Sequence, residues 1–223
     1  GDGILELIQR AGGYTSKAFE LGGILENKKT LEINKAANER LYFDLIEKII
    51  KNIAIAQSNA NSDLPNILSE LKNNQQSGRV VAEFNLDKLK ADKSLDVFLQ
   101  DGDSVIIPEV INHVYIFGQV SSQGTAKFSS GKSINYFIDQ QGGFLDDADK
   151  KNIFIMLPNG ETQKINNKNI FANQRVNLEI QPGSIIFVPQ KVDNLFATNT
   201  LQAYVSILGN LGVSLASLSV IKD

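Results

Sequence analysis

The stretches ILELIQRAGGYTSKAF (4–19) and INYFIDQQGGFLDDAD (134–149) are two versions of one phrase. Ile4 and Ile8 in the first copy, and Ile134, Phe137 and Ile138 in the second, have the spacing of a short helix with one buried face. A double glycine follows in each, Gly12–Gly13 and Gly142–Gly143, and an alanine comes five residues later, Ala18 and Ala148. Glycine just past a helix end takes the left-handed conformation without a Cβ penalty, so the phrase predicts a glycine-ended helix used twice. A repeated phrase marks a repeated architectural unit.

The second copy is complete. HVYIFGQV (113–120) reads as a strand, SSQGTAKF (121–128) as a turn and a return strand, and Ser133 as the cap of the helix that begins at Ile134. Ile153–Leu157, a PNG turn at 158–160 and a further strand follow, and QPGSIIFVP (181–189) closes the unit. The first copy enters at its helix, 130 residues earlier. Its closing strand DGDSVIIP (101–108) precedes PGSIIFVP by only 81. The two offsets imply an insertion of about 49 residues in the first copy. Leu41, Leu45, Ile49 and Ile53, with Ala37, Tyr42, Ile46 and Ile50 beside them, predict one amphipathic helix there; Leu64, Ile67, Leu68 and Leu71 predict a second. GRVVAEFNL (78–86) reads as a strand, and the basic residues near 86–93 as a solvated face. The first copy lacks a counterpart of 113–128, so an unpaired sheet edge is expected there.

The composition is that of a globular protein: 223 residues, 42% hydrophobic, net charge -3, no cysteine. It excludes disulfides and thiolate metal sites, and it offers no basic face for nucleic acid. The only methionine is Met156, and GDGILELIQRAGG opens as if inside a folded unit, so the chain is expected to be a C-terminal fragment or a processed product.

VYIFGQVSSQGTAKF, INYFIDQQGGFLDDAD and NIFIMLPNG, in that order, resemble the soluble-ligand-binding β-grasp (SLBB) module. DGDSVIIP running into VYIFGQV resembles the junction between modules in bacterial polysaccharide export proteins of the Wza and KpsD type. The resemblance covers about residues 3–190. Gln123 stands where the family often has proline, and QQGG at 140–143 replaces a commoner AGG. The expected fold is α+β: a partial SLBB module at 1–108 with a helical insertion at about 31–76, a complete module at 109–190, and a C-terminal amphipathic helix at 191–223. The resemblance implies a homo-oligomeric ring, often an octamer, in the outer membrane and periplasm. Such a ring works with an inner-membrane polysaccharide co-polymerase and conducts capsular polysaccharide without cutting it. The alternative is a periplasmic module that binds a glycan or small ligand and forms no pore.

The segment 194–221 is 28 residues without a charge. Leu201, Tyr204, Leu208, Leu211, Leu215 and Leu218 form a 3-4-3-4-3 stripe, and Asn199, Gln202, Ser206, Asn210 and Ser217 lie largely off it. One reading is a helix in a membrane barrel, lipid on the leucine side and a wet pore on the polar side. Others are a helix packed back on a soluble domain or in a coiled coil, or a loop.

No enzyme is expected. His113 is the only histidine, and no GxSxG elbow, P-loop or GxGxxG is present. No metal or cofactor is assigned. Asp139, Asp146, Asp147 and Asp149 lack the spacing of an EF-hand loop and read as a polar connection. Tyr14 and Phe144 occupy equivalent positions after the glycines; they read as packing residues rather than sugar-stacking ones.

Overall fold

In the computed structural model, which describes residues 2–52, 64–73, 76–165, 179–191 and 198–209, the repeated phrase is a repeated structure. Helix α1 (Ile4–Arg10) is closed by the Gly13 amide donating to the Ile8 carbonyl at 2.9 Å. The corresponding helix of the second copy, α5 (Ile134–Gln140), is closed by the Gly143 amide donating to the Ile138 carbonyl at 3.0 Å. All four glycines of the pairs have positive φ, between 81° and 96°. The Ser133 side chain caps α5 as the sequence predicts, accepting from the Tyr136 amide. Helix α1 has no such residue: Gly3 stands at its N-cap, and Asp96 reaches across to accept from the Leu5 amide at 3.2 Å.

The second copy folds as a five-stranded sheet of β4 (His113–Gly118), β5 (Gly124–Lys127), β6 (Ile153–Met156), β7 (Thr162–Ile165) and β8 (Ile185–Val188). The order is β5-β4-β8-β6-β7, with β4 and β8 parallel and the other pairs antiparallel. Counted within the unit this is 2-1-5-3-4, the arrangement of a β-grasp sheet. The first copy contributes β1 (Ile24–Glu26), β2 (Arg79–Val80) and β3 (Ser104–Ile106) in the order β2-β1-β3. Ile24 pairs with Ile106 as Phe154 pairs with Phe187, and Leu25 with Val105 as Ile155 with Ile186. The offsets of 130 and 81 read from the sequence are therefore reproduced residue by residue. β3 is an edge strand where its equivalent β8 is central; among the described residues nothing stands in the place of β4 and β5.

The insertion lies in the β1–β2 hairpin. Residues 27–78 stand where Leu157–Glu161 closes the equivalent β6–β7 hairpin. Asn27 caps α2 (Lys28–Lys51), accepting from the Thr30 amide at 2.9 Å, and α3 (Leu64–Asn73) returns. The reading of 78–86 as a strand is corrected: only Arg79 and Val80 pair, and Leu86–Ala91 forms α4. Asn85 accepts from the Lys88 amide and starts that helix, and Leu89 is fully buried beneath it. The lysines at 88 and 90 had masked this one buried position.

Three apolar clusters result. Ile4, Ile8, Leu25, Phe84 and Leu89 make the first unit's core. Phe137 and Ile138 of α5 meet Val114, Ile116, Ile155, Ile186 and Val188 on one face of the large sheet. The other face carries Tyr115, Phe117, Phe154, Met156, Ile185 and Phe187, and it is covered by the insertion and by helix α6 (198–209). The large sheet is thus buried on both faces, which is why β6 reads IFIM and β8 IIFV without polar alternation.

Candidate binding cleft

Helix α6 buries Thr200 and Ala203 as well as two residues of the leucine stripe. Tyr204 and Leu208 are buried and Leu201 partly buried, all against the large sheet and the insertion; the Tyr204 ring lies 4.8 Å from that of Phe187. Asn199, 8% exposed, accepts from the Lys48 ammonium on α2 at 2.5 Å. Ser206 donates to Asn38 at 3.2 Å, and Asn38 in turn donates to the Leu71 carbonyl of α3 at 2.7 Å. Gln202 is exposed. Of the residues read as candidate pore lining, Asn199 and Ser206 thus face the insertion in this structure. Leu211, Leu215, Leu218, Asn210 and Ser217 lie outside the described residues.

Gln202, Val205 and Ser206 form one wall of a cleft of about 750 Å³, and Ile33, Asn34 and Asn38 of α2 form the opposite wall. At its base is Arg79 of β2. Asn34 is held by donating to the Ser77 carbonyl at 2.8 Å, just before that strand. Arg79 sits opposite Glu26 in the β1–β2 pair, and its side chain crosses to the β6–β7 turn, where Nη2 donates to the Pro158 carbonyl. Gly160 makes the crossing possible: a Cβ there would lie 2.6 Å from Nε, and its φ of +91° already favours glycine. Nε is buried and has no hydrogen-bond partner. Burial pushes the guanidinium pKa down to about 10, against the attraction of Glu26. Among the described residues no carboxylate lies within ion-pair distance of Arg79. Arg40 and Asp44, both exposed, sit on the rim with opposite charges.

The cleft can therefore hold a polar ligand through amide and hydroxyl side chains and attract an anion through a desolvated cation. The sequence reading did not single out Arg79, Asn34 or Asn38 for a site, and it took Gly160 only as the end of a turn. Arg79 stands 79 residues before Pro158, and no local pattern joins them.

Other singled-out residues are structural. Tyr14 donates to the Phe84 carbonyl at 2.6 Å, and Phe144 pairs with Val120 and lies under Lys150. His113 packs edge-on to Tyr115, and its pKa is lowered by burial. Asp149 accepts from the Lys151 amide and stiffens its own turn.

No curated protein matches this chain. Residues 122–208 match a family model described as capsule biosynthesis GfcC C-terminal. That stretch runs from the β4–β5 turn to Leu208, so it takes in most of α6 and four of the five strands of the large sheet, β4 lying before it. The resemblance read from the sequence is narrowed accordingly, from exporters of the Wza and KpsD type to the coarser assignment. Residues 122–208 of this chain are similar to the GfcC C-terminal domain, which ties that part of the molecule to capsule biosynthesis.

Proposed function

We propose that the chain is a non-enzymatic glycan-binding component of capsule biosynthesis, acting on the periplasmic side of the envelope and forming no pore itself. The observation that carries this reading is the docking of α6. Ala203, Tyr204 and Leu208 are at most 4% exposed against the chain's own sheet and insertion. A barrel helix would have to leave that seat. Exposing Leu208 alone costs about 1.5–3 kcal/mol, and Phe154, Met156 and Ile185 would be uncovered with it. Among the described residues no helix is long and apolar enough to cross a membrane. On this reading the export pore and the inner-membrane co-polymerase are separate partners, and the cleft is the glycan-contacting surface.

The test is the mass of the intact chain by light scattering, with and without detergent. A single-chain or two-chain mass that detergent leaves unchanged is expected. A ring of about eight chains that binds detergent would overturn the reading and restore the channel.

A further inference from the structure

The cleft holds a cation, Arg79, that has no ion-pair partner among the described residues. Guanidinium groups removed from water are ordinarily paired, because an isolated buried charge is costly. Arg79 has one carbonyl partner, Pro158, and one buried donor, Nε, with none. Glu26 attracts it from the neighbouring strand without forming an ion pair, and Arg40 and Asp44 on the rim offset each other. The walls carry amide groups (Asn34, Asn38, Gln202), the Ser206 hydroxyl and short apolar faces (Ile33, Val81, Val205). Amides suit sugar hydroxyls, and the apolar faces suit the C–H faces of a pyranose.

We propose that the cleft recognises an acidic sugar, one carrying a single carboxylate or phosphate, with Arg79 as the charge that selects it. This rests on the glycan-binding reading above and names the substrate class of the same site. The bound anion would supply the countercharge that Arg79 lacks. Recognition would be charge-selective and salt-sensitive, since most of the discrimination comes from one ion pair in a partly desolvated site. Apposition to Gly160 fixes where the guanidinium lies, so the site is preformed.

The experiment compares three probes by calorimetry on the intact chain: a disaccharide ending in glucuronate, the same disaccharide with that carboxylate reduced to an alcohol, and glucose 1-phosphate. At least tenfold tighter binding of one charged probe over the neutral one is expected, and the tighter of the two names the anion. Doubling the salt weakens it and leaves the neutral probe unchanged. Arg79→Gln removes the tenfold preference. Because that substitution also breaks the bond to Pro158, a second variant is Ile33→Glu. Ile33 is 62% exposed on the cleft wall, so the change leaves the core intact and sets a like charge beside the anion. It weakens the charged probe at least threefold more than the neutral one, since both lose the Ile33 side chain but only the charged probe meets the new carboxylate. Equal binding of charged and neutral probes, or a preference that survives both variants, overturns the proposal. The oligomeric mass is unaffected by either result, so failure here is separable from failure of the non-pore reading.

Discussion

Gly160 and Gly143 both have positive φ, but only one of them has a neighbour. A Cβ at Gly143 meets nothing within 4 Å, whereas one at Gly160 would strike the Arg79 guanidinium at 2.6 Å. Forcing an L-residue into the left-handed region costs about 1–2 kcal/mol. Gly143→Ala is therefore expected to lose about that amount, and Gly160→Ala distinctly more, in urea unfolding; equal losses would mean that Arg79 is not seated against the turn. Tyr14 gives a second test on this scale. Burial first, and then the charges of Glu20 and Glu83, push its pKa up to about 12. The unfolded chain ionises this group near pH 10, so the folded form holds the proton longer. The stabilisation is complete below about pH 10 and is lost as pH rises through about 12. The urea midpoint of the wild type should fall more between pH 9 and pH 11 than that of Tyr14→Phe. Arg79 titrates with the opposite effect but is common to both proteins, so the difference reports Tyr14.

A channel subunit and a self-contained module differ in where helix α6 sits. Its apolar residues at 201, 204 and 208 meet Phe187, Phe154 and Met156 of the large sheet, and its polar residues meet Lys48 and Asn38 of α2. A helix held on two sides belongs to the folded core. Leu208→Ala is expected to destabilise the chain by about 2–5 kcal/mol, the range for a buried leucine whose site cannot fully collapse. The check is a denaturant midpoint. An unchanged midpoint would mean that α6 is not docked in solution. Short elements follow the same logic: Asp96 caps α1 across the unit, and a Cβ at Gly3 would meet that carboxylate at 2.2 Å, so Gly3 is small because its cap comes from elsewhere.

At the level of the molecule, the insertion of the first unit is the cover of the second. Leu45 of α2 and Leu71 of α3 are buried in the same cluster as Phe154 and Ile185. The two units therefore share a core. Leu45→Ala, although it lies in the first unit's insertion, should weaken hydrogen-exchange protection of the β6 and β8 amides in the second. Protection lost only in α2 and α3 would mean that the units open separately. This shared core also shapes the cleft, whose walls come from α2 and α6 and whose base is a side chain bridging both sheets.

The repeat, its helices and the strands of the second unit were legible because they rest on local signals. A glycine pair ends a helix whatever surrounds it, a serine caps one, and two constant offsets along the chain locate the insertion. The apolar stripe of α6 was legible too, as a period. What the period could not say is which apolar surface it meets, since lipid and a sheet of Phe, Met and Ile attract leucine alike; only the tertiary structure put Leu208 against that sheet. The burial of Leu89 within a lysine-rich helix, and the strand that stops after Val80, depended on what lay above them. Arg79 is the clearest case. By itself it is a charged residue at the start of a short strand. It becomes the base of a cleft only because residues 79 positions apart are folded together, so that a glycine turn in one unit makes room for a cation from the other.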